Sequence, residues 1–170
     1  MVDQAPLIVS LRMDPASFQV LDTMRRRNFP PERNHLRAHL TLFHKLPGEE
    51  EATVIRDLED VCAAQQPLTA IAQTLRFLGR GVAIDVPSPD LEHLRTNLAS
   101  RWKGWLTPQD MQGFRPHVTV QNKVDPAQAR ALHSHLVQDF QPTPVTGEGL
   151  DLHRYRGGPW EAVRFFPFRA

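Results

Sequence analysis

Two short segments of this 170-residue chain read alike: His39-Leu40-Thr41-Leu42 and His117-Val118-Thr119-Val120, each histidine, apolar, threonine, apolar. They stand 78 positions apart, near the centres of the two halves of the chain. On a strand, residues i and i+2 point to one face, so each segment presents an imidazole and a hydroxyl side by side. The surroundings repeat as well. An apolar strand begins 32 residues before the first histidine, at Leu7, and 35 before the second, at Val82; a lysine follows each by six, Lys45 and Lys123. Such a chain is expected to fold as an α+β duplication. Two antiparallel-rich sheets would be related by a pseudo-twofold axis and meet along a central cleft, with helices outside. Residues 1–170 would form one domain of two intimately packed lobes, with the motifs at 39–42 and 117–120 converging across the cleft.

Local signals fill in the elements. Leu7 to Met13 reads as a strand, and Asp14-Pro15 as an N-cap with Pro at the first helical position, opening a helix to Asn28. His39 to Leu46 reads as a strand closed by Pro47-Gly48, and Glu49 to Gln66 as an amphipathic helix. Leu68 to Leu78 and Val82 to Val86 read as two strands joined by Gly79-Arg80-Gly81. In the second half, Ser88-Pro89-Asp90 caps a helix to about Trp105, and Pro116 to Val124 carries the second motif. Asp125-Pro126 opens a helix to about Phe140. Val145 to Tyr155 and Trp160 to Phe168 then form a last hairpin around Gly157-Gly158-Pro159.

Composition narrows the functions available. A formal net charge of +1 supplies no broad electrostatic footprint, so duplex DNA is not an expected partner. No apolar run approaches the roughly 20 residues that span a bilayer, and Met1 to Pro6 has no basic stretch followed by an apolar one; no membrane partner is expected, and the cytoplasm is the expected location. The one cysteine, Cys62, shares a helical pattern with Val54, Ile55, Leu58 and Val61, which makes it a core thiol. Trp102 and Trp105 are read as packing residues, with a partner surface as the other use of so much apolar area. Metal ligation is not expected. A helix joining His35 to His39 conflicts with the strand that His39 opens, and His133 and His135 do not share a helix face.

Two histidines and two threonines suit metal-free chemistry on a phosphate. Hydrolysis of a 2′,3′-cyclic phosphate needs a base to activate water and an acid to protonate the departing ribose oxygen. An imidazole with a pKa of about 6.5 can be either near neutrality. The hydroxyls of Thr41 and Thr119 would donate to the non-bridging oxygens. His117 is taken as the base and His39 as the acid, although two equivalent motifs cannot themselves order the roles. Around this centre, Phe43 shares strand parity with His39 and Thr41 and is expected on the same face. Arg115 precedes the second motif within reach of a phosphate. Tyr155 and Arg156, in His153-Arg154-Tyr155-Arg156, offer an aromatic and a cation for a nucleotide at the cleft rim.

His39-Leu-Thr41-Leu and Phe114-Arg-Pro116-His117-Val-Thr119-Val resemble the paired signature of the two-histidine (2H) phosphoesterase superfamily. That superfamily includes bacterial 2′-5′ RNA ligase-like proteins and RNA 2′,3′-cyclic phosphodiesterases. The terminal stretch, with Leu150, Leu152, Arg154, Gly158, Trp160, Glu161 and Phe166, is similar to the last hairpin of the bacterial members. The resemblance implies a bilobed fold, His39 and His117 as the acid–base pair, Thr41 and Thr119 on the phosphate, and no cofactor or metal. Bacterial RNA ligase-like members often carry an arginine just after the second motif. This chain has Gln121-Asn122-Lys123 there, leaving Lys123 as a point charge in place of a fork. The expected partner is an RNA end or a small nucleotide, and the expected state is a monomer. The expected reaction opens 2′,3′-cyclic phosphates to 2′-phosphates. Action on 2′-5′ linkages or on ADP-ribose cyclic phosphate, and a nucleotide-binding module with little turnover, are the alternatives.

Overall fold

Each half opens with a strand and a helix that a proline starts. In the computed structural model, which describes all 170 residues, β1 (Leu7–Met13) leads into α1 (Pro15–Asn28), and the Asp14 carboxylate accepts the Ser17 N–H. In the second half β5 (Val82–Asp85) leads into α3 (Pro89–Arg101), where Ser88 Oγ accepts the Leu91 N–H. These bonds satisfy amides that have no partner inside the helix. The motif strands follow, β2 (Thr41–Leu46) and β6 (His117–Gln121); each half then has its second long helix, α2 (Glu51–Ala63) and α5 (Pro126–Asp139). A short α4 (Pro108–Met111) precedes β6. The remaining strands are β3 (Leu68–Ala72), β4 (Thr74–Phe77), β7 (Thr143–Arg154) and β8 (Glu161–Pro167).

The α+β architecture is the one expected, with two antiparallel sheets and helices packed against them. The larger sheet has the order β2-β1-β7-β3, and β8 pairs with the same edge of β7 as β3, end to end with it. The smaller sheet is β4-β5-β6. Each sheet therefore mixes strands from both halves: β7 and β8 of the second half complete the first sheet, and β4 of the first half completes the second.

Several boundaries differ from the sequence reading. The segment read as one strand from Leu68 to Leu78 is two. It leaves the larger sheet after Ala72, joins the smaller one at Thr74, and Gln73 donates its N–H to the Asp85 carbonyl at the crossover. β2 begins at Thr41, so His39 stands just before the strand. Asp125 occupies the N-cap position of α5 but makes no side-chain capping bond. Helix α3 ends at Arg101, and a 3-10 turn carries the chain through Trp105.

The core is continuous between the halves. Leu7, Val9 and Leu11 of β1, Leu40 and Leu42 of the first motif, Val118 and Val120 of the second, and Leu91 and Leu98 of α3 belong to one buried cluster. Each such side chain contributes roughly 1.5–3 kcal/mol by leaving water. Trp102 is buried, and its indole N–H donates to Asp57 at 2.9 Å. Trp105 packs against the same core, so neither forms a free partner surface. Cys62 is buried too, and burial pushes its thiol up to about 12, out of reach of nucleophilic chemistry. No helix is long and apolar enough to cross a membrane.

Candidate active site

The alternation of β2 and β6 turns Leu42, Val118 and Val120 into the core and leaves Thr41, His117 and Thr119 half-buried on the opposite face. Thr41 lies opposite Ser10 of β1; Thr119 lies opposite Ala83 of β5, and His117 opposite Asp85. The two histidines are held in the same way. His39 Nδ1 stands 2.7 Å from the Arg37 carbonyl, and His117 Nδ1 stands 2.8 Å from the Arg115 carbonyl. A carbonyl can only accept, so each ring carries its proton on Nδ1 and leaves Nε2 as the reactive nitrogen.

A buried guanidinium joins the two motifs. Arg25 of α1 donates from Nε to the Leu36 carbonyl at 3.1 Å and from Nη1 to the Thr119 carbonyl at 2.8 Å. The segment leading into His39 and the strand carrying Thr119 thus sit one guanidinium apart. Arg95 of α3 makes the reciprocal tie, donating to the Leu42 carbonyl at 3.2 Å and to the Asp110 carbonyl at 2.6 Å. Asp110 then accepts the backbone N–H groups of His44 and Lys45 and faces the His44 ring at 3.0 Å.

The environments of the two histidines differ. Burial lowers His39 to about 4, and the charges of Arg25, His117 and His153 add to the effect. His117 is also lowered, chiefly by burial and further by Arg76, but it alone of the pair has a carboxylate, Asp85, working in the other direction. Beside His39 the Trp160 ring packs edge-on at 4.7 Å and reaches His153 at 5.2 Å, while His153 Nε2 meets Ser10 Oγ at 3.1 Å. A cavity of about 710 Å³ opens here, lined by Ser10, Arg12, Phe18, His39, His153 and Trp160 among others. His117, Thr41 and Thr119 lie outside its lining.

The structure draws the other sequence-derived residues apart. Phe43 does not face the site: it is fully buried, edge-on to Trp102 at 5.0 Å. The β1–β2 register shifts on both sides of the Val9–Phe43 pair, and this irregularity rotates Phe43 onto the core face beside Leu42. Gln121, the equivalent position of the second motif, is buried beside a matching irregularity at Val82. Lys123 is exposed, adopts φ 64° past the end of β6, and lies at the opposite end of that strand from His117. Arg115 stands at the site and donates to Asp85 at 2.7 Å. Tyr155 is exposed and does not line the cavity. Arg156 is taken up by Asp3 and Glu161, and Arg154 by Glu51, so this stretch supplies no free cation. His44 faces Asp110, His133 faces the Leu75 carbonyl at 3.3 Å, and no three His, Cys, Asp or Glu side chains gather as metal ligands would.

Arg25, Arg95, Asp85, Arg76 and Trp160 were not picked out as site residues from sequence. Signals existed for some. Arg25 follows Leu21 by four, and Arg95 sits between Leu91 and Leu98 at helical spacing, which places a guanidinium on each apolar helix face. Asp85 interrupts the apolar run Val82 to Val86.

The model of the 2'-5' RNA ligase superfamily matches residues 13–159. The chain belongs to that superfamily. It is a family of 2H phosphoesterases, and membership supports an enzyme of phosphoesterase or ligase type. Solved structures share the superfamily fold at low identity. TT0787 of Thermus thermophilus aligns with TM-score 0.69 and 17% identity over 97% of this chain and 98% of its own. E. coli LigT complexed with 3'-AMP aligns with TM-score 0.64 and 16% identity over 99% and 100%. LigT complexed with NADP+ gives 0.61 and 16% over the same shares. No curated protein sequence matches the chain.

Proposed function

We propose that this superfamily member is a metal-independent phosphodiesterase that opens 2′,3′-cyclic phosphate ends of RNA or nucleotides to 2′-phosphates. The observation that carries the reading is the matched tethering of His39 and His117, each with Nδ1 on a carbonyl two residues upstream and Nε2 left free. The fold shared with LigT, whose complexes hold 3'-AMP and phosphate, supports a nucleotide substrate.

We assign the roles in reverse of the sequence expectation, on the unequal surroundings of the two rings. His39, half-buried beside cationic neighbours and lowered to about 4, is neutral at pH 7 and suits the base; His117, where the Asp85 carboxylate opposes the pull of burial and Arg76, is left as the acid. His39 Nε2 takes a proton from water as its oxygen attacks phosphorus. The bond from phosphorus to the ribose 3′-oxygen breaks, and His117 gives that oxygen its proton. The negative phosphate favours the protonated imidazole once substrate is bound. Thr41 and Thr119 donate to the non-bridging oxygens, where charge accumulates.

The test is incubation with 2′,3′-cyclic AMP and with an RNA bearing a cyclic end, the product being resolved by ³¹P NMR. Accumulation of the 2′-phosphate alone is the expected result. A folded protein that turns over no cyclic phosphate contradicts the reading. The superfamily match also supports action on a 2′-5′ phosphodiester, which uses the same 2′-oxygen and the same two proton transfers. Cleavage of a 2′-5′-linked dinucleotide in preference to the cyclic substrates favours that second reading.

A further inference from the structure

The half of the site around His117 holds a charge cluster that the two motifs do not account for. Asp85 stands opposite His117 across the β5–β6 ladder and bridges two guanidinium groups. Its Oδ1 accepts Arg76 Nε at 2.9 Å, and its Oδ2 accepts Arg115 Nη2 at 2.7 Å. Two guanidiniums against one carboxylate leave a net charge of +1 at the ring. Arg76 lies on β4 opposite Ala83, and Ala83 lies opposite Thr119. Arg76, Ala83 and Thr119 therefore form one row across a single sheet face, with only a methyl group between the guanidinium stem and the hydroxyl.

One feature separates Arg76 from the other site arginines. Arg25 and Arg95 spend their N–H groups on carbonyls. Arg76 Nη2 is buried and has no acceptor in the protein. A buried, charged donor without an acceptor is costly, and a guanidinium fork fits two phosphate oxygens. The charge of Arg76 acts on His117, so it lies within electrostatic range of the reacting group. Lys123 lies at the far end of β6 and cannot take this part.

We propose that Arg76, oriented by Asp85, is a phosphate-binding residue that donates to a non-bridging oxygen alongside Thr119. The proposal rests on the phosphoesterase reading of the site and adds a ligand to it. Arg115, more exposed, holds the other oxygen of the same carboxylate.

Inorganic phosphate, titrated by calorimetry with the His117 ring signals followed by NMR, is the direct probe. Arg76→Gln is expected to weaken phosphate binding by about tenfold or more, as loss of a charge-assisted hydrogen bond does. Arg76→Lys, which keeps the charge but not the fork, is expected to recover part of the loss. Arg80→Gln, on the exposed turn beyond β4, should leave binding at the wild-type level. Wild-type affinity in Arg76→Gln overturns the proposal, as does a wild-type protein whose His117 signals ignore phosphate. If Arg76→Gln does not fold, Arg76→Lys decides: affinity equal to wild type overturns the assignment. Phosphate binding that follows this pattern without turnover of any cyclic phosphate would sink the hydrolytic reading and leave Arg76 in place. Turnover and phosphate binding unchanged in Arg76→Gln would do the opposite.

Discussion

His39 carries a pH dependence that the fold itself creates. An ordinary imidazole takes its proton below about 6.5, whereas burial holds His39 to about 4. Above about 6.5 the ring is neutral in the folded and the unfolded chain, and it contributes no slope. As pH falls from 6.5 to about 4, the unfolded chain binds a proton that the folded one refuses, so stability falls. Below about 4 the whole penalty is in place, on the order of 3 kcal/mol. Urea unfolding of wild type and His39→Asn at about pH 7.5 and about pH 5 should show the variant gaining on wild type at the lower pH; equal pH slopes would refute the burial of this ring. On the proposed roles, the same ionisations set the pH profile of turnover. With a base at about 4 and an acid below 6.5, kcat/KM should peak on the acid side of pH 6.5; a plateau extending to alkaline pH would contradict the assignment. Thr41, His117 and Thr119 share the half-buried face that strand alternation predicts, while His39, just before β2, is placed by its bond to the Arg37 carbonyl. Phe43 was not legible in the sequence, because a register shift has no local signature: the residues around it read as an unbroken strand until the pairing with β1 is known.

At the scale of elements, the site depends on two helices that each reach into the other half. Arg25 leaves α1 for the Thr119 carbonyl, and Arg95 leaves α3 for the Leu42 carbonyl. Removing either guanidinium strands buried carbonyls and opens a gap between α-helix and motif strand. Arg25→Ala and Arg95→Ala should each cost about 2–4 kcal/mol in urea unfolding. Losses well under about 1 kcal/mol would show that the ties are dispensable. Helix starts were readable because Asp14-Pro15 and Ser88-Pro89 have a local mechanism. The split at Gln73 was hidden, since neither Gly nor Pro marks it and both pieces are strands in their own right. What divides them is the choice of sheet, which depends on distant partners.

The whole molecule follows from that exchange of strands. Neither half can complete a sheet alone, because β4 belongs with β5 and β6, and β7 and β8 belong with β1 and β2. One core runs through both. Thermal unfolding followed by far-ultraviolet and near-ultraviolet circular dichroism should therefore give a single coincident transition; two separated transitions would mean independent lobes. The duplication was visible in the order of elements and the spacing of the motifs. The exchange was not, since a repeat shows that two halves are alike and says nothing about which strands trade places. The exchange also leaves two imidazoles that are held in the same way in unequal surroundings.

The pairing of His39 and His117 as acid and base is tested most directly by turnover of 2′,3′-cyclic AMP by EDTA-treated wild type, His39→Ala, His117→Ala and the double variant. Wild-type turnover should survive EDTA. Each single variant should lose roughly 10²–10⁴-fold in kcat, and the double variant should fall far less than the product of the two losses. Wild-type turnover in either folded single variant, or activity that disappears with EDTA, would contradict the pairing.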